Sequence, residues 1–358
     1  MGQSNLATTP DGKVVLTWLE KKGRERYALR FAVRQAGSWS APRTIIEGNT
    51  FVVHWTELPS LVVLPSGTWL ISWIEETHEG QTDIKISKSN DQGATWGPPT
   101  PLRPDHNRAN RSFASLLPWR DGDVATVYLD GRPLSSDEPE VRLTTFHPDG
   151  KPGSDAVIDH MACGCCPPAL ARTERGLIVV YRHRDSIETR DIFIARYQNS
   201  SWTKPVPVHN DGWILKGCPL NGPAVSTSDD TVAVAWFTGA REKARVFVAF
   251  SDDAGATFSD PILAKDAFTF GRVDIELVSK DAALVSWLDS GREGATLMAR
   301  LVMKDGKTGR SFPVSPVGGA SLTRIPRMAR AGEEVLFAWT DPGEPGRLRV
   351  ASVSQTRQ

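Results

Sequence analysis

Val232-Ala233-Val234-Ala235-Trp236 is an apolar run of strand length that ends in an indole, and the chain repeats it. The other copies are Val14-Val15-Leu16-Thr17-Trp18, Leu70-Ile71-Ser72-Trp73, Ala125-Thr126-Val127-Tyr128, Ile178-Val179-Val180-Tyr181, Ala283-Leu284-Val285-Ser286-Trp287 and Val335-Leu336-Phe337-Ala338-Trp339. Their aromatic residues stand 55, 55, 53, 55, 51 and 52 positions apart, so seven units of near-constant length fill the chain. Each unit reads as a short strand, a turn such as Pro10-Asp11-Gly12 or Pro65-Ser66-Gly67, the aromatic-ended strand, a third strand and an outer strand. The third strand shows period-two alternation in Asp83-Ile84-Lys85-Ile86-Ser87-Lys88 and in Arg245-Val246-Phe247-Val248-Ala249-Phe250. An aromatic residue followed by proline marks the outer strand, as in Trp39 to Pro42, Trp96 to Pro98, Trp202 to Pro205 and Phe258 to Pro261. Proline is tolerated there because an edge leaves N–H groups unpaired.

Sheets of this size are most economically arranged radially, which leaves only short protected edges. The expectation is all-β: a single seven-bladed β-propeller of four-stranded antiparallel blades, one domain over residues 1–358. Its repeats fall at about 1–50, 51–104, 105–158, 159–210, 211–265, 266–318 and 319–358. The seventh repeat is one strand short, so the last blade is expected to be three-stranded unless a further strand was trimmed away.

With 42 basic and 42 acidic residues the chain is formally neutral, which gives no electrostatic footprint for a nucleic acid. No run of 18 apolar residues exists, so membrane insertion is not expected. The expected partner is a small molecule, a glycan or a metal ligand, bound by a monomer. Met1-Gly2-Gln3-Ser4 leads straight into a strand-like segment, without a basic stretch followed by an apolar one. This reads as a trimmed start, with a periplasmic or secreted location expected and the export signal lying outside the sequence.

Two loops share a longer signature, Ser89-Asn90-Asp91-Gln92-Gly93-Ala94-Thr95-Trp96 and Ser251-Asp252-Asp253-Ala254-Gly255-Ala256-Thr257-Phe258. Both fit S-x-D-x-G-x-T-(W/F). An Asp side chain can accept N–H bonds across a tight turn, Gly supplies positive φ, and the aromatic ring packs beneath. These loops resemble the Asp-boxes of the sialidase-like, or BNR-repeat, propeller proteins. The resemblance implies that Asp91 and Asp253 are structural and lie between the third and fourth strands. Sialidase chemistry would require arginines around a substrate carboxylate, a proton-donating acid and a Tyr–Glu nucleophile. Two of the four tyrosines, Tyr128 and Tyr181, instead take the repeat-tryptophan position, where packing is the ordinary role.

Three of the four cysteines fall within Cys163-Gly164-Cys165-Cys166, and Cys218 lies 55 residues after Cys163, one repeat on. The four sulfurs are therefore expected to converge where the first strands of blades four and five begin. Three readings stay open. Cys163 or Cys166 could form a disulfide with Cys218, suiting an exported protein. Cys163, Cys165, Cys166 and Cys218 could bind a soft metal, copper first and zinc second. A reactive thiol would need a base such as His54, His160 or His183. The C-x-C-C segment is similar to that of some periplasmic copper-handling proteins, and with the repeats it resembles bacterial BNR-repeat proteins of unassigned activity.

Aligning the first strands of repeats two to seven places Glu57, Arg111, Cys166, Asn221, Gly271 and Arg324 at equivalent positions, with Asp274 and Arg327 three residues further on in their own repeats. A glycoside-active enzyme would use Glu57, Arg111, Asp274 and Arg327 catalytically, with Arg272 and Arg324 holding an anionic sugar and Asp211 as a further acid. His54, Arg184, Arg190, Asp191 and Asn221 complete the candidate ligand-binding set. The turn-rich Cys218-Pro219-Leu220-Asn221-Gly222-Pro223 suggests a close backbone approach. An interaction module with structural disulfides is the third alternative.

Overall fold

Every repeat builds one antiparallel sheet around its aromatic-ended strand. The computed structural model describes residues 2–77, 80–104, 110–131, 139–291, 294–318, 325–341 and 346–354. The fold is all-β, a seven-bladed propeller of mostly four-stranded antiparallel blades whose last blade, Arg327–Ala331, Glu334–Asp341 and Arg347–Ser354, is three-stranded. Consecutive strands pair in chain order, as in blade five, Ala224–Ser228, Thr231–Thr238, Arg245–Ser251 and Ile262–Asp266. In blades one and four an additional strand after the proline, Arg43–Gly48 and Val206–Pro207, pairs with the third strand. The aromatic residue expected to open the outer strand thus sits in a two-residue piece, Ser38–Trp39 or Ser201–Trp202, and the main outer pairing resumes beyond the proline.

The second strand is the buried one in each sheet because neighbours cover it on both edges and both faces. All eight residues of Thr231–Thr238 are buried. Trp236 and Trp287 are among the largest fully buried side chains. Burying ~200 Å² of indole stabilises by roughly 5 kcal/mol as an upper estimate. The acid that tends to follow two residues later has a clear role. Trp73, Trp287 and Trp339 donate their Nε1–H to Glu75, Asp289 and Asp341 at 2.8, 2.6 and 3.0 Å. A wholly buried indole would otherwise lose that hydrogen bond.

Packing divides the chain into two compact units, one of Met1–Asp137, Arg142–Ala156 and Arg327–Gln358, the other of Glu138–Val141 and Val157–Pro326. Within the first unit, apolar clusters join blade one to blade two through Phe31, Ile71 and Trp73, and blade one to blade seven through Trp18, Leu336 and Ala338. Within the second, Trp236 packs with Val180 and Ile194 of blade four, and Trp287 with Val246 and Val248 of blade five. Among the described residues no helix is long and apolar enough to cross a membrane.

The two signature loops close in the way their residues dictate. Asp91 Oδ1 accepts from Ser89 Oγ at 2.7 Å and from Thr95 N at 2.8 Å, while Asp91 Oδ2 accepts from Thr95 Oγ1 at 2.6 Å. Asp253 repeats the pattern with Ser251 and Thr257 at 2.7, 2.9 and 2.7 Å. The Thr95 hydrogen bonds, joined by Ser89, hold the Asp91 carboxyl down at about 2. Gly93 has φ +75°, and a Cβ there would lie 2.7 Å from Phe31 Cζ. Gly93→Ala should therefore destabilise by at least about 1 kcal/mol, measured as a lower denaturation midpoint at unchanged m-value; equal midpoints would refute the steric account.

Candidate functional site

The cysteines converge as the repeat alignment requires, but with different pairing. Cys165 and Cys218 form a disulfide with Cα atoms 6.2 Å apart, joining the segments that lead into blades four and five. Cys163 and Cys166 are free thiols, each 1% exposed. The expected pairing of Cys163 or Cys166 with Cys218 is thereby corrected. The reason is directional. Cys163 N donates to Arg182 O at 2.9 Å, which turns that residue inward. Cys165, two positions on, is half-buried, and Cys218 is exposed.

The sulfurs of Cys163, Cys165 and Cys166 all lie within 4.8 Å of one another, a cluster with the donor chemistry of a soft-metal site. Cys163 Sγ and Cys166 Sγ share a hydrogen bond at 3.1 Å, and Cys165 Sγ lies 3.6 Å from Cys163 Sγ and 4.0 Å from Cys166 Sγ. Because Cys165 is bonded to Cys218, three or four thiolate ligands exist only after that bond is reduced.

The cluster's positive charge comes from two arginines. Arg182 is 1% exposed. It donates from Nε to Asn221 O at 2.8 Å, from Nη2 to Phe237 O at 2.7 Å and from Nη1 to Arg190 O. Its guanidinium also lies 5.0 Å from the Trp213 ring centroid. Arg190 donates from Nη1 to Cys163 Sγ at 3.1 Å and pairs through Nη2 with Glu188 Oε2 at 2.6 Å. The hydrogen bond with Cys166, followed by the charges of Arg182 and Arg190, lowers the Cys163 thiol to about 6, while burial raises Cys166. Arg182 was not singled out from the sequence. A signal existed: it follows the repeat aromatic directly, where five other repeats carry Leu19, Ile74, Leu129, Phe237 and Leu288. Likewise, Cys163 and Cys166 are themselves a C-x-x-C pair, hidden inside C-x-C-C.

The charged stretch after Arg182 folds onto this centre. Arg184 and Arg190 share Glu188, with Arg184 Nη2 at 2.7 Å from Oε1. Asp191 accepts from Gly212 N and Trp213 N at 3.0 and 3.1 Å, and Leu215 N donates to Glu188 O at 3.0 Å. These bonds fix the strand of chain that ends in Cys218. Asn221 Oδ1 accepts from Arg272 N at 2.8 Å, and Arg272 is buried with Nη1 directed at Leu220 O and Pro219 O. The expected close approach is real, since a Cβ on Gly222 would lie 2.2 Å from Pro167 O. Asp274 is buried and its Oδ1 accepts from Ile275 N at 3.0 Å. Asp211 pairs with His209 at 2.7 Å and accepts from Trp236 Nε1 at 2.8 Å. Of the histidines considered as bases, His160 pairs with Glu140 and His183 with Asp159, both at 2.8 Å, so the arginines take the activating role instead. Gly164, Cys165, Arg184, Glu188, Lys216 and Cys218 line an open cleft of ≈ 720 Å³.

The remaining candidates belong to the first unit. Glu57 Oε2 accepts from Phe113 N at 2.9 Å, and Phe113 has φ +58° at a bulge in its strand. The Glu57 side chain keeps a partly exposed edge while its carboxyl is closely ringed by protein, and burial raises it to about 7. Arg111 is buried against Asp83 at 3.0 Å, with Asp130 3.6 Å away. His54 Nδ1 meets Thr56 Oγ1 at 2.6 Å. Arg327 is half-buried, and Arg324 lies outside the described residues.

No family model matches the chain, and no curated protein matches it. Solved structures do. A protein of unknown function from Dyadobacter fermentans aligns at TM-score 0.54 and 12% identity over 98% of this chain and 93% of that one. The α-L-arabinofuranosidase Arb93A from Fusarium graminearum aligns at TM-score 0.53 and 12% identity, covering 98% and 92%. NanB sialidase from Streptococcus pneumoniae aligns at TM-score 0.52 and 10% identity, covering 96% and 83%. Identities this low show the fold alone.

The electrostatics of the cluster can be read directly. Ultraviolet thiolate absorbance should appear with a midpoint near pH 6, and Arg190→Gln should move it toward the ordinary thiol value of about 8.5. The folded value lies below the unfolded one, so the associated stability is complete above the ordinary value and is lost as pH falls through about 6. A midpoint unchanged by the substitution would refute the role given to Arg190.

Proposed function

We propose that the chain is a glycoside-active enzyme acting on an anionic sugar, with Glu57 as its proton donor. The observation that carries this reading is a carboxyl closely ringed by protein and raised to about 7, on a residue that is itself only partly buried. Such a group is protonated near neutral pH and can protonate a leaving oxygen, which an ordinary surface glutamate cannot do at useful occupancy. The strained Phe113 backbone, whose N–H holds Glu57, supports it, because strain of that kind persists where surroundings fix a group for use. The fold is shared with proteins named as a sialidase and an arabinofuranosidase, which adds support by analogy. In this reading Arg327 supplies countercharge to the sugar carboxylate, and Arg111 keeps the wall beside Glu57 in place. A disulfide at Cys165–Cys218 fits an oxidising location, periplasmic or secreted.

Turnover on sialyl and uronate glycosides, with an arabinofuranoside as the neutral comparison, tests the proposal. Glu57→Gln should lower kcat by about 10²- to 10⁴-fold; full activity in that variant, or none in the parent, would end the assignment. A stability measurement checks the carboxyl independently. A raised carboxyl favours the folded state fully below its unfolded value and loses that effect as pH rises through about 7. Glu57→Gln should therefore gain on the parent by on the order of 1–2 kcal/mol between pH 5 and 8, after allowance for solvent screening.

A second reading rests on the sulfur cluster. Once Cys165–Cys218 is reduced, Cys163, Cys165 and Cys166 would hold copper(I) or zinc, with Cys218 as a fourth ligand. Metal per protein after anaerobic reduction, compared with the oxidised protein, is the test. Equal and negligible binding in both would dismiss it.

A further inference from the structure

The cysteines are arranged in two tiers that neither reading above uses. A disulfide with one half-buried and one exposed end, Cys165–Cys218, lines the cleft, and a buried dithiol, Cys163 with Cys166, lies beside it. Cys165 is the end of the disulfide that meets the dithiol, 3.6 Å from Cys163 Sγ, while Cys163 and Cys166 are 3.1 Å apart. We propose that these four residues form a thiol–disulfide exchange relay, through which the buried pair trades electrons with an external disulfide or dithiol held in the cleft.

The steps balance. Cys163 Sγ, as thiolate, bonds to Cys165 Sγ; the Cys165–Cys218 bond breaks, and its electron pair leaves on Cys218 Sγ, which takes a proton from solvent. Cys166 then gives up its proton and bonds to Cys163 Sγ; the Cys163–Cys165 bond breaks, and Cys165 Sγ takes the electron pair and that proton. Two electrons have moved outward, leaving a Cys163–Cys166 disulfide below and a Cys165/Cys218 dithiol at the surface. An external disulfide oxidises the surface dithiol back to Cys165–Cys218 and leaves as two thiols. An external dithiol drives the sequence in reverse and resets the chain.

Three features of the surroundings suit this exchange. Arg190 donates from Nη1 to Cys163 Sγ, so the attacking sulfur is the one with a cationic neighbour. Cys166, the second nucleophile, is spaced as the partner in a C-x-x-C pair. The leaving sulfur, Cys218, is the exposed one, where solvent can protonate it. Arg184, Lys216 and Glu188 around the cleft give it the mixed charge that the backbone and termini of a thiol-bearing peptide would meet.

The experiment follows the Cys163–Cys166 bond by acid quenching, alkylation and peptide mass mapping, in the presence of a copper(I) and zinc chelator. The native chain is exposed to oxidised glutathione in one arm and to a disulfide-bonded peptide in the other. The Cys163–Cys166 disulfide should accumulate, with a transient Cys163–Cys165 bond trapped at early times. In the double variant Cys165→Ser, Cys218→Ser, checked for native circular dichroism, its formation should slow by at least about tenfold because the buried pair has lost its outlet. Faster reaction with glutathione than with the peptide identifies a small-molecule partner, and the converse a protein. Absence of the Cys163–Cys166 bond in the native chain, or equal rates in the double variant, overturns the relay. If the double variant is misfolded, the transient Cys163–Cys165 bond in the native chain decides, and its absence is equally fatal.

Discussion

A guanidinium with no exposed face organises the second unit. Arg182 gives its donors to the carbonyls of Asn221, Arg190 and Phe237, which belong to three separate stretches of chain. Burying a charge costs several kcal/mol unless its hydrogen bonds are met. Here neutral carbonyls and the face of Trp213 meet them, leaving the charge itself to be balanced by whatever anion lies nearby. Cys163 supplies that anion: its N–H binds the Arg182 carbonyl, its sulfur receives Arg190, and its thiol is lowered accordingly. The orientation of the whole cysteine segment follows, because fixing Cys163 inward leaves Cys165 to reach Cys218.

Much of this was legible in the sequence, for an identifiable reason. A repeat of near-constant length transfers position from one unit to the next, so the sheets, their buried second strands and the meeting of Cys163–Cys166 with Cys218 could all be read by alignment. Alignment locates a backbone and does not aim a side chain. Whether Cys163 or Cys165 faces Cys218 depends on a turn of two residues and on a hydrogen bond to a carbonyl 19 positions away in sequence. Arg182 was obscured by its company, since Arg-His-Arg-Asp after a strand reads as a solvated loop. Its position in the repeat, otherwise filled by leucine, isoleucine or phenylalanine in five units, was the contrary signal.

Glu57 illustrates a different limit. Its place two residues before Pro59, at the entry to blade two, was evident from the repeat, yet nothing in the local sequence says that the carboxyl would be ringed by protein and held by one N–H from Phe113. Departures from regular geometry carry this information. The inner strands bearing Phe113 and Arg272 both bulge at a residue of positive φ, and each bulge turns an N–H toward a polar side chain of the preceding repeat, Glu57 in one and Asn221 in the other. A structural repeat thus supplies two local environments with different chemistry, one carrying a neutral acid and the other a sulfur beside a buried cation.

The account turns on which sulfurs are bonded and which are free. Mass mapping of the never-reduced protein, quenched in acid and alkylated before digestion, reads this directly. The arrangement described here predicts a cross-linked peptide pair containing Cys165 and Cys218, with Cys163 and Cys166 both alkylated. A bond from Cys218 to Cys163 or Cys166, or four alkylated cysteines, would contradict it.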